Sequence, residues 1–379
     1  MAPLRIGINA LYLIPGGVGG TEIYLRHLLG ALAAADRENE YFVFTNRETP
    51  REFVPAQPNF QLVAEPVRAG SRPARLAWEQ TGLVLTAHAR RLDVLFNAGF
   101  TAPVLCACPQ VTMFHDMQHK RHPEHFRRLD LPFWRLFLWA AAHRSRILLT
   151  PSGAARADLL HYYRVPAGRV RVVPEGVDPV FYEIGRERQS TPREPFFLCP
   201  STSHPHKGLL PLVGAFARVR RERPEFRLVI TGVRGFHAEI LERTIAGHKL
   251  SGAVELTGWL PRQELYKRFR HAFAFVYPST FEGFGLPVLE ALAAGVPAAC
   301  SRIEPLASMA GDAALLFEPG SEDAIAAALL RLITDSALRE RLAAAGPLRA
   351  RPFTWEETAR LTMGAFEEAA HRSLTVAAR

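Results

Sequence analysis

Two α/β domains, each a doubly wound parallel sheet, are the fold the sequence predicts, and three observations carry that expectation. Short apolar runs alternate with longer amphipathic ones from end to end, the pattern of parallel strands with helices on both faces. The 379 residues suit two domains, on a prior of about 100–200 residues each. One stretch, GVDPVFYEIGRERQSTPREP (176–195), breaks the rhythm with prolines and charge and reads as the boundary between them.

In the first domain, residues 1–180, the strand-like runs are LRIGINA (4–10), YFVFT (41–45), FQLVAE (60–65), DVLF (93–96), QVTMF (110–114), RILLT (146–150) and RVRVVP (169–174). Most are near-continuous apolar runs, as strands covered on both faces require. Helical patterns such as TEIYLRHLLGALAAA and RADLLHYY separate them. The second domain, residues 193–352, repeats the scheme. It runs FFLCP, a helix from Leu209, FRLVIT, a helix from His237, AVELTG, a helix from Pro261, AFAFVYPS, a helix from Leu286, then AACS. In such sheets ligands sit at the C-terminal ends of the strands, and the space between two domains is the default site.

Composition narrows the function classes. With 48% hydrophobic and 22% charged residues the chain is an ordinary globular protein. The N-terminus enters a strand-like run at once, without a signal-peptide layout, and no apolar stretch is long enough to span a bilayer. The four cysteines, Cys106, Cys108, Cys199 and Cys300, are too few and scattered for a disulfide framework or a four-ligand zinc site. A soluble cytoplasmic chain is expected. The net charge of +9 is concentrated in residues 1–180, where 21 basic residues face 15 acidic ones. An anionic membrane surface or a phosphorylated substrate suits that excess. Nucleic acid is not expected, since no zinc-finger spacing or RNP-like octamer occurs.

The loop after the first strand, PGGVGGTE (15–22), is glycine-rich but lacks the third glycine of G-x-G-x-x-G, and no P-loop is present. An NAD-dependent oxidoreductase is therefore disfavoured. Those glycines fit either a tight strand-to-helix turn or a close backbone approach to a ligand at a helix N-terminus. The chemically densest stretch is YPSTFEGFGLPVLEALAAGVP (277–297). A strand ends, Gly283 and Gly285 free a loop, and Pro287 opens a helix where its missing N–H costs nothing. Backbone N–H groups at that helix's positive end suit a diphosphate. Glu282 in the loop and Glu290 in the helix can each grip neighbouring hydroxyls of a sugar or ribose, because ionised carboxylates only accept. A glycosidase acid/nucleophile pair is the rival reading of these two carboxylates.

FEGFGLPVLEALAAGVP resembles the E-x7-E signature of the retaining glycosyltransferases of family 4, whose GT-B fold has two Rossmann-like doubly wound domains facing a central cleft. The early GGVGGTE loop, FHDMQHKRHPEHF (114–126), VVPEGVD (172–178), SHPHKGLLPLVGAF (203–216), LTGWLPRQELYKRFRHAFAFVYPS (256–279), AGDAALLFEP (310–319) and FTWEETA (353–359) agree with the family in order. The resemblance implies that Glu282 binds donor-sugar hydroxyls and Glu290 the nucleotide ribose. Backbone N–H groups near Gly283, Phe284, Gly285 and Leu286 would hold phosphate or sugar oxygens. Lys207 would neutralise the leaving diphosphate, with Ser201 at the same strand end. Gly258 and Trp259 would line the base pocket, and Gly16, Gly17 and Gly19 the floor near the phosphates. His115 and Asp116 would stand at the reacting centre on the acceptor side. The last helix, about 355–372, would pack back onto the first domain.

The chain departs from the family at three positions. Ser201 stands where many members have arginine, Glu175 where the N-G-V-D turn has asparagine, and Ser308 where a glutamate is usual. The resemblance implies a retaining hexosyltransferase with no required cofactor or metal. GDP-mannose is the favoured donor, because HDMQHKRHPEHF with SHPHKG resembles the mannosyltransferase branch; a UDP-hexose is the second donor. The acceptor is a saccharide or a lipid-linked glycan. Ser201 and Ser308 also motivate an alternative, a nucleotide-sugar-binding partner subunit with little turnover. The histidines His115, His119, His122 and His125 do not form a metal-ligand pattern, since Pro123 interrupts them. The segment 122–146 mixes Phe126, Phe133, Trp134, Phe137 and Trp139 with Arg127, Arg128, Arg135, Arg144 and Arg146. It reads first as a core helix with a charged outer face and second as a seat on the anionic inner face of a membrane.

Overall fold

The computed structural model describes residues 3–16, 19–126 and 131–377, and of 372–377 the backbone only. Gly17, Arg127 and Arg128 lie outside the described residues. The chain divides into two units, residues 1–176 with 354–379, and residues 177–353.

The first unit is built from β1 (Arg5–Asn9), α1 (Gly20–Ala35), β2 (Glu40–Thr45), β3 (Phe60–Ala64), α2 (Arg72–Gln80), α3 (Gly82–Ala89), β4 (Val94–Asn97), β5 (Gln110–Met113), α4 (Gln118–Arg121), α5 (Leu131–Arg144), β6 (Ile147–Thr150), α6 (Gly153–Tyr163) and β7 (Val170–Val172). Its sheet has seven parallel strands in the order β3-β2-β1-β4-β5-β6-β7. Strand order reverses between β1 and β4. The apolar stripe of α1 buries Leu25, Leu28, Leu29 and Leu32 against Ile6, Ile8, Val43 and Phe96, a burial that contributes about 1.5–3 kcal/mol per leucine.

The second unit holds α7 (Val180–Glu187), β8 (Glu194–Pro200), α8 (Leu209–Glu222), β9 (Arg227–Thr231), α9 (Ala238–Gly247), β10 (Val254–Gly258), α10 (Arg262–His271), β11 (Ala272–Tyr277), α11 (Leu286–Ala293), β12 (Ala298–Ser301), α12 (Leu306–Ala310), β13 (Ala314–Phe317), α13 (Glu322–Thr334) and α14 (Ser336–Ala350). Its six parallel strands run β10-β9-β8-β11-β12-β13, reversing between β8 and β11. The core joins Phe197, Leu228 and Val276 of the sheet to Leu212 and Phe216 of α8 and Leu329 of α13. After α14 the chain returns to the first unit as α15 (Trp355–Ala377), which packs on α1 and buries Ala365, Phe366 and Ala369.

The expected α/β pattern holds in both units, with three differences. The stretch 176–195 is not an irregular linker, because it contains α7. Phe181 and Ile184, one turn apart, are its buried face, and Phe181 packs edge-on against Tyr266 and Phe269 at 5.5 and 5.0 Å. Arg188 then donates to the carbonyls of Phe269, Arg270 and Ala272, at 2.6, 2.9 and 3.0 Å. The prolines that suggested a break only flank this helix. A second difference is β13, whose four residues complete the sheet inside a stretch read only as a motif. The third is α5. It buries Leu138 and Ala140 to Ala142, while Phe133, Leu136 and Trp139 are exposed beside Arg135 and Arg144. The outer face is thus apolar and basic together, not simply charged. Among the described residues no helix is long and apolar enough to cross a membrane.

Candidate active site

In the second unit the two loops flanking the strand-order reversal carry the central carboxylate and ammonium. The loop after β8 ends in Lys207, and the loop after β11 holds Glu282. Lys207 Nζ donates to Glu282 Oε1 at 2.6 Å and to the Tyr277 hydroxyl at 3.2 Å. Both charged side chains are nearly buried, at 15% and 11% exposure, so the pair is only weakly screened. Burial first, and the Glu282 carboxylate second, push the Tyr277 hydroxyl well above its ordinary range, so it stays protonated.

Backbone bonds clamp the two loops together. The His206 carbonyl accepts from Thr280 N at 2.7 Å, Thr280 Oγ1 at 3.1 Å and Ser279 Oγ at 3.1 Å. Gly208 makes that approach feasible: its φ is +64°, and a Cβ there would lie 2.1 Å from the Pro278 carbonyl oxygen. Gly208→Ala combines left-handed strain with a backbone clash. It is expected to cost at least about 2 kcal/mol, read as a lower urea midpoint; an unchanged midpoint would show that the loops part freely.

Glu290 lies on α11 and is 5% exposed. Its Oε1 is 3.8 Å from Arg262 Nη1 at the start of α10. Arg262 Nη2 and the Tyr266 hydroxyl both donate to Asp178 Oδ2, at 3.1 and 3.0 Å. Burial alone would lower the Arg262 pKa, but Glu290, Tyr266 and Asp178 outweigh it and the guanidinium is held more firmly charged. Sequence reasoning missed Tyr277, Arg262, Tyr266 and Asp178. All four lay inside quoted motifs, but none was singled out there.

At the head of α11, Gly285 is the cap residue with φ +101°. Among the described residues the N–H groups of Phe284 and Gly285 meet no protein acceptor, as a helix start prepared for an anion requires. The Phe284 side chain is buried edge-on against Phe353, and Leu286 is buried too, so only their backbone is available. Gly283 sits between Glu282 and this cap. Ser201 is buried at the end of β8, its hydroxyl turned onto the Thr202 carbonyl at 3.3 Å. Gly258, with φ +70°, and the half-exposed Trp259 end the edge strand β10, two strands from β8. That separation is about 10 Å, so they stand apart from the Lys207–Glu282 pair. Ser308 donates to Glu304 Oε1 at 2.8 Å, which gives that departure a local partner.

The first unit holds His115 and Asp116 directly after β5. The His115 ring is 8% exposed. Its Nε2 donates to the Ala98 carbonyl at 3.0 Å, and Nδ1 lies 3.5 Å from Glu175 Oε1. Tyr24 and Phe100 pack edge-on against it, at 4.8 and 5.3 Å. Glu175, a departure in sequence, therefore faces the second ring nitrogen, while the Ala98 carbonyl holds the first. Asp116 Oδ1 accepts from the Gln118 N–H at 2.8 Å and opens α4. Gly16 and Gly19 have φ of +71° and +61° with open space where a Cβ would stand, and the Gly16 N–H donates to Glu22 Oε2 at 2.7 Å. His119 is buried against Tyr163, away from the other histidines. His122, Glu124 and His125 do gather, with ligand atoms within 4.8 Å of one another, and are the group among the described residues that could hold a metal ion.

Two parallel doubly wound units, one with a lysine–glutamate pair at its strand-order reversal, define the GT-B class of glycosyltransferases. Residues 18–181 match the family Glycosyltransferase Family 4, and residues 183–349 match Glycosyl transferases group 1. The chain belongs to the GT-B glycosyltransferases and is a nucleotide-sugar-dependent transferase. It is 28% identical over 274 residues to O-antigen chain mannosyltransferase B of Escherichia coli, covering 68% of this chain and 70% of that protein. It is 32% identical over 229 residues to an MMP alpha-(1->4)-mannosyltransferase of Mycolicibacterium hassiacum, covering 59% and 54%. Sucrose-phosphate synthase from Thermosynechococcus elongatus shares the fold, with a TM-score of 0.79, 20% identity, and coverage of 99% of this chain and 100% of that one.

Proposed function

We propose that the second unit binds a nucleoside diphosphate sugar and that the chain transfers its hexose, with retention, to a hydroxyl of a saccharide or lipid-linked acceptor. The carrying observation is the Lys207–Glu282 pair at the strand-order reversal, one loop from the uncapped N–H groups of α11 and from Glu290. Glu282 has acceptor sites beyond the one Lys207 uses and receives donor-sugar hydroxyls. Glu290, held by Arg262, receives the ribose hydroxyls. As the anomeric C–O bond breaks, negative charge grows on the leaving diphosphate, where Lys207 and the start of α11 stabilise it. The acceptor hydroxyl forms the new C–O bond on the same face, and its proton passes to the departing phosphate oxygen. No side-chain base, cofactor or metal is needed for that path.

The donor is GDP-mannose, a reading supported by the two mannosyltransferase relatives, with a UDP-hexose as the competing donor. The chain would work in the cytoplasm, with the exposed Phe133, Leu136 and Trp139 of α5 seated on an anionic membrane and Arg135 and Arg144 over its headgroups.

Calorimetric titration of GDP, UDP and ADP into wild type and Glu290→Ala tests the reading. One nucleotide is expected to bind, and the substitution to weaken it by about 1–3 kcal/mol, the worth of a charge-assisted hydrogen bond. Absence of binding by any of the three to folded wild-type protein would sink the donor assignment.

A further inference from the structure

Arg75, on α2 of the first unit, is a buried cation with no hydrogen-bonded partner among the described residues. It is 6% exposed, and among the described residues its guanidinium makes no hydrogen bond or ion pair; Nε is wholly enclosed. A guanidinium carries five N–H donors and no acceptor, and burying it without acceptors is costly. Glu79, one turn along α2, balances the charge at longer range. Three of its acceptor sites are already engaged: Oε2 accepts from Thr101 at 2.8 Å and Asn9 at 3.1 Å, and Oε1 from Gln80 at 3.3 Å.

The location gives the second, independent observation. Asn9 is the last residue of β1 and Thr101 follows β4, the strands between which the order of the seven-stranded sheet reverses. Ligands of open α/β sheets bind outside the strand C-terminal ends at that reversal. Glu79 pins α2 to both strand ends, and the charge of Arg75 acts on Tyr12 just after β1. One turn earlier, Arg72 lies over the Trp134 ring at 5.2 Å and adds positive charge to the same helix. A planar fork of unused donors matches two oxygens of a phosphate or carboxylate.

We infer that Arg75 is the seat of an anionic oxygen group, phosphate or carboxylate, carried by the acceptor substrate. Calling that substrate the acceptor rests on the donor assignment to the second unit; the anion site itself does not. The acceptors taken are then sugar phosphates, phosphate-linked glycans or acidic sugars, and a neutral saccharide lacking the anion is a poor substrate.

The test uses the full chain carrying Lys207→Met with Glu282→Gln, so that the donor-side ammonium does not contribute and no buried carboxylate is left unpaired. Inorganic phosphate and sodium glucuronate are titrated separately against chloride at matched ionic strength, with binding read by calorimetry. One of the two is expected to bind, and which one distinguishes phosphate from carboxylate. Arg75→Gln in that background is expected to weaken it at least about tenfold, and Arg75→Lys, which keeps charge without the fork, by less. If neither anion binds better than chloride, or Arg75→Gln binds as well as its parent, the site is overturned. Should Arg75→Gln fail to fold, tungstate soaked into wild-type crystals decides by anomalous scattering: density within hydrogen-bond reach of Arg75 supports the site, and density only elsewhere overturns it. Nucleotide titration of the wild type runs alongside. Lost nucleotide binding with intact phosphate binding removes the donor reading alone; the converse removes the Arg75 assignment alone.

Discussion

Lys207→Ala is expected to lower the rate of sugar transfer by about 10²–10³-fold, the usual effect of removing one preorganised donor from developing negative charge. The effect should fall mainly on kcat, because the leaving diphosphate is more negative in the transition state than in the bound donor. The same substitution leaves Glu282, 11% exposed, without its 2.6 Å partner. Breaking a buried pair from one side costs about 3–5 kcal/mol, so a fall in activity could arise from unfolding alone. The double variant Lys207→Met with Glu282→Gln removes both charges at once. It is expected to recover most of the stability without recovering turnover. Steady-state kinetics with whichever donor binds, next to urea midpoints for all three proteins, separates the two effects. A folded Lys207→Ala with undiminished kcat would show that the ammonium serves the loop clamp and not the chemistry.

What was legible in the sequence follows from how local each feature is. Alternating β and α elements show themselves within windows of ten or so residues, so nearly every strand was readable. Lys207, Glu282 and Glu290 were readable because each sits at a strand–loop–helix junction with its own glycine or proline punctuation. Their partners were not. Lys207 meets Tyr277 across 70 positions and Asp178 meets Arg262 across 84, and no periodicity reports a contact at that separation. The same limit explains Glu175, which looked like a lost asparagine until β5 brought His115 beside it. Arg75 was passed over for the opposite reason. In sequence it is one arginine in an amphipathic helix, where a solvated face is the ordinary expectation; only burial without an acceptor marks it. The half-hidden α7 shows how proline can mislead: Pro179 is its cap, and the apolar pair Phe181 and Ile184 starts two residues on.

A large pH effect on stability is expected from His119. Its ring is buried, and Nε2 shares a 2.7 Å hydrogen bond with the Tyr163 hydroxyl. Burial, with Lys120 and Arg135 adding like charge, pushes its pKa down from the usual 6.5 to about 4. Above pH 6.5 the ring is neutral in folded and unfolded chains alike, and no cost arises. Between pH 6.5 and 4 the unfolded chain binds a proton that the folded one refuses, so stability falls as pH falls. Below about 4 the loss is complete, and it amounts to about 3 kcal/mol, one pKa unit being worth 1.36 kcal/mol. Carboxylates add their own acid dependence, so the comparison must be with a variant. His119→Gln keeps a hydrogen-bonding group for Tyr163 and removes the titration. Urea unfolding of both proteins at steps from pH 7 to 4 should show wild type losing stability faster by up to one proton's slope. Parallel curves would mean that His119 charges within the fold at its ordinary pKa, and that Tyr163 gives way to receive it.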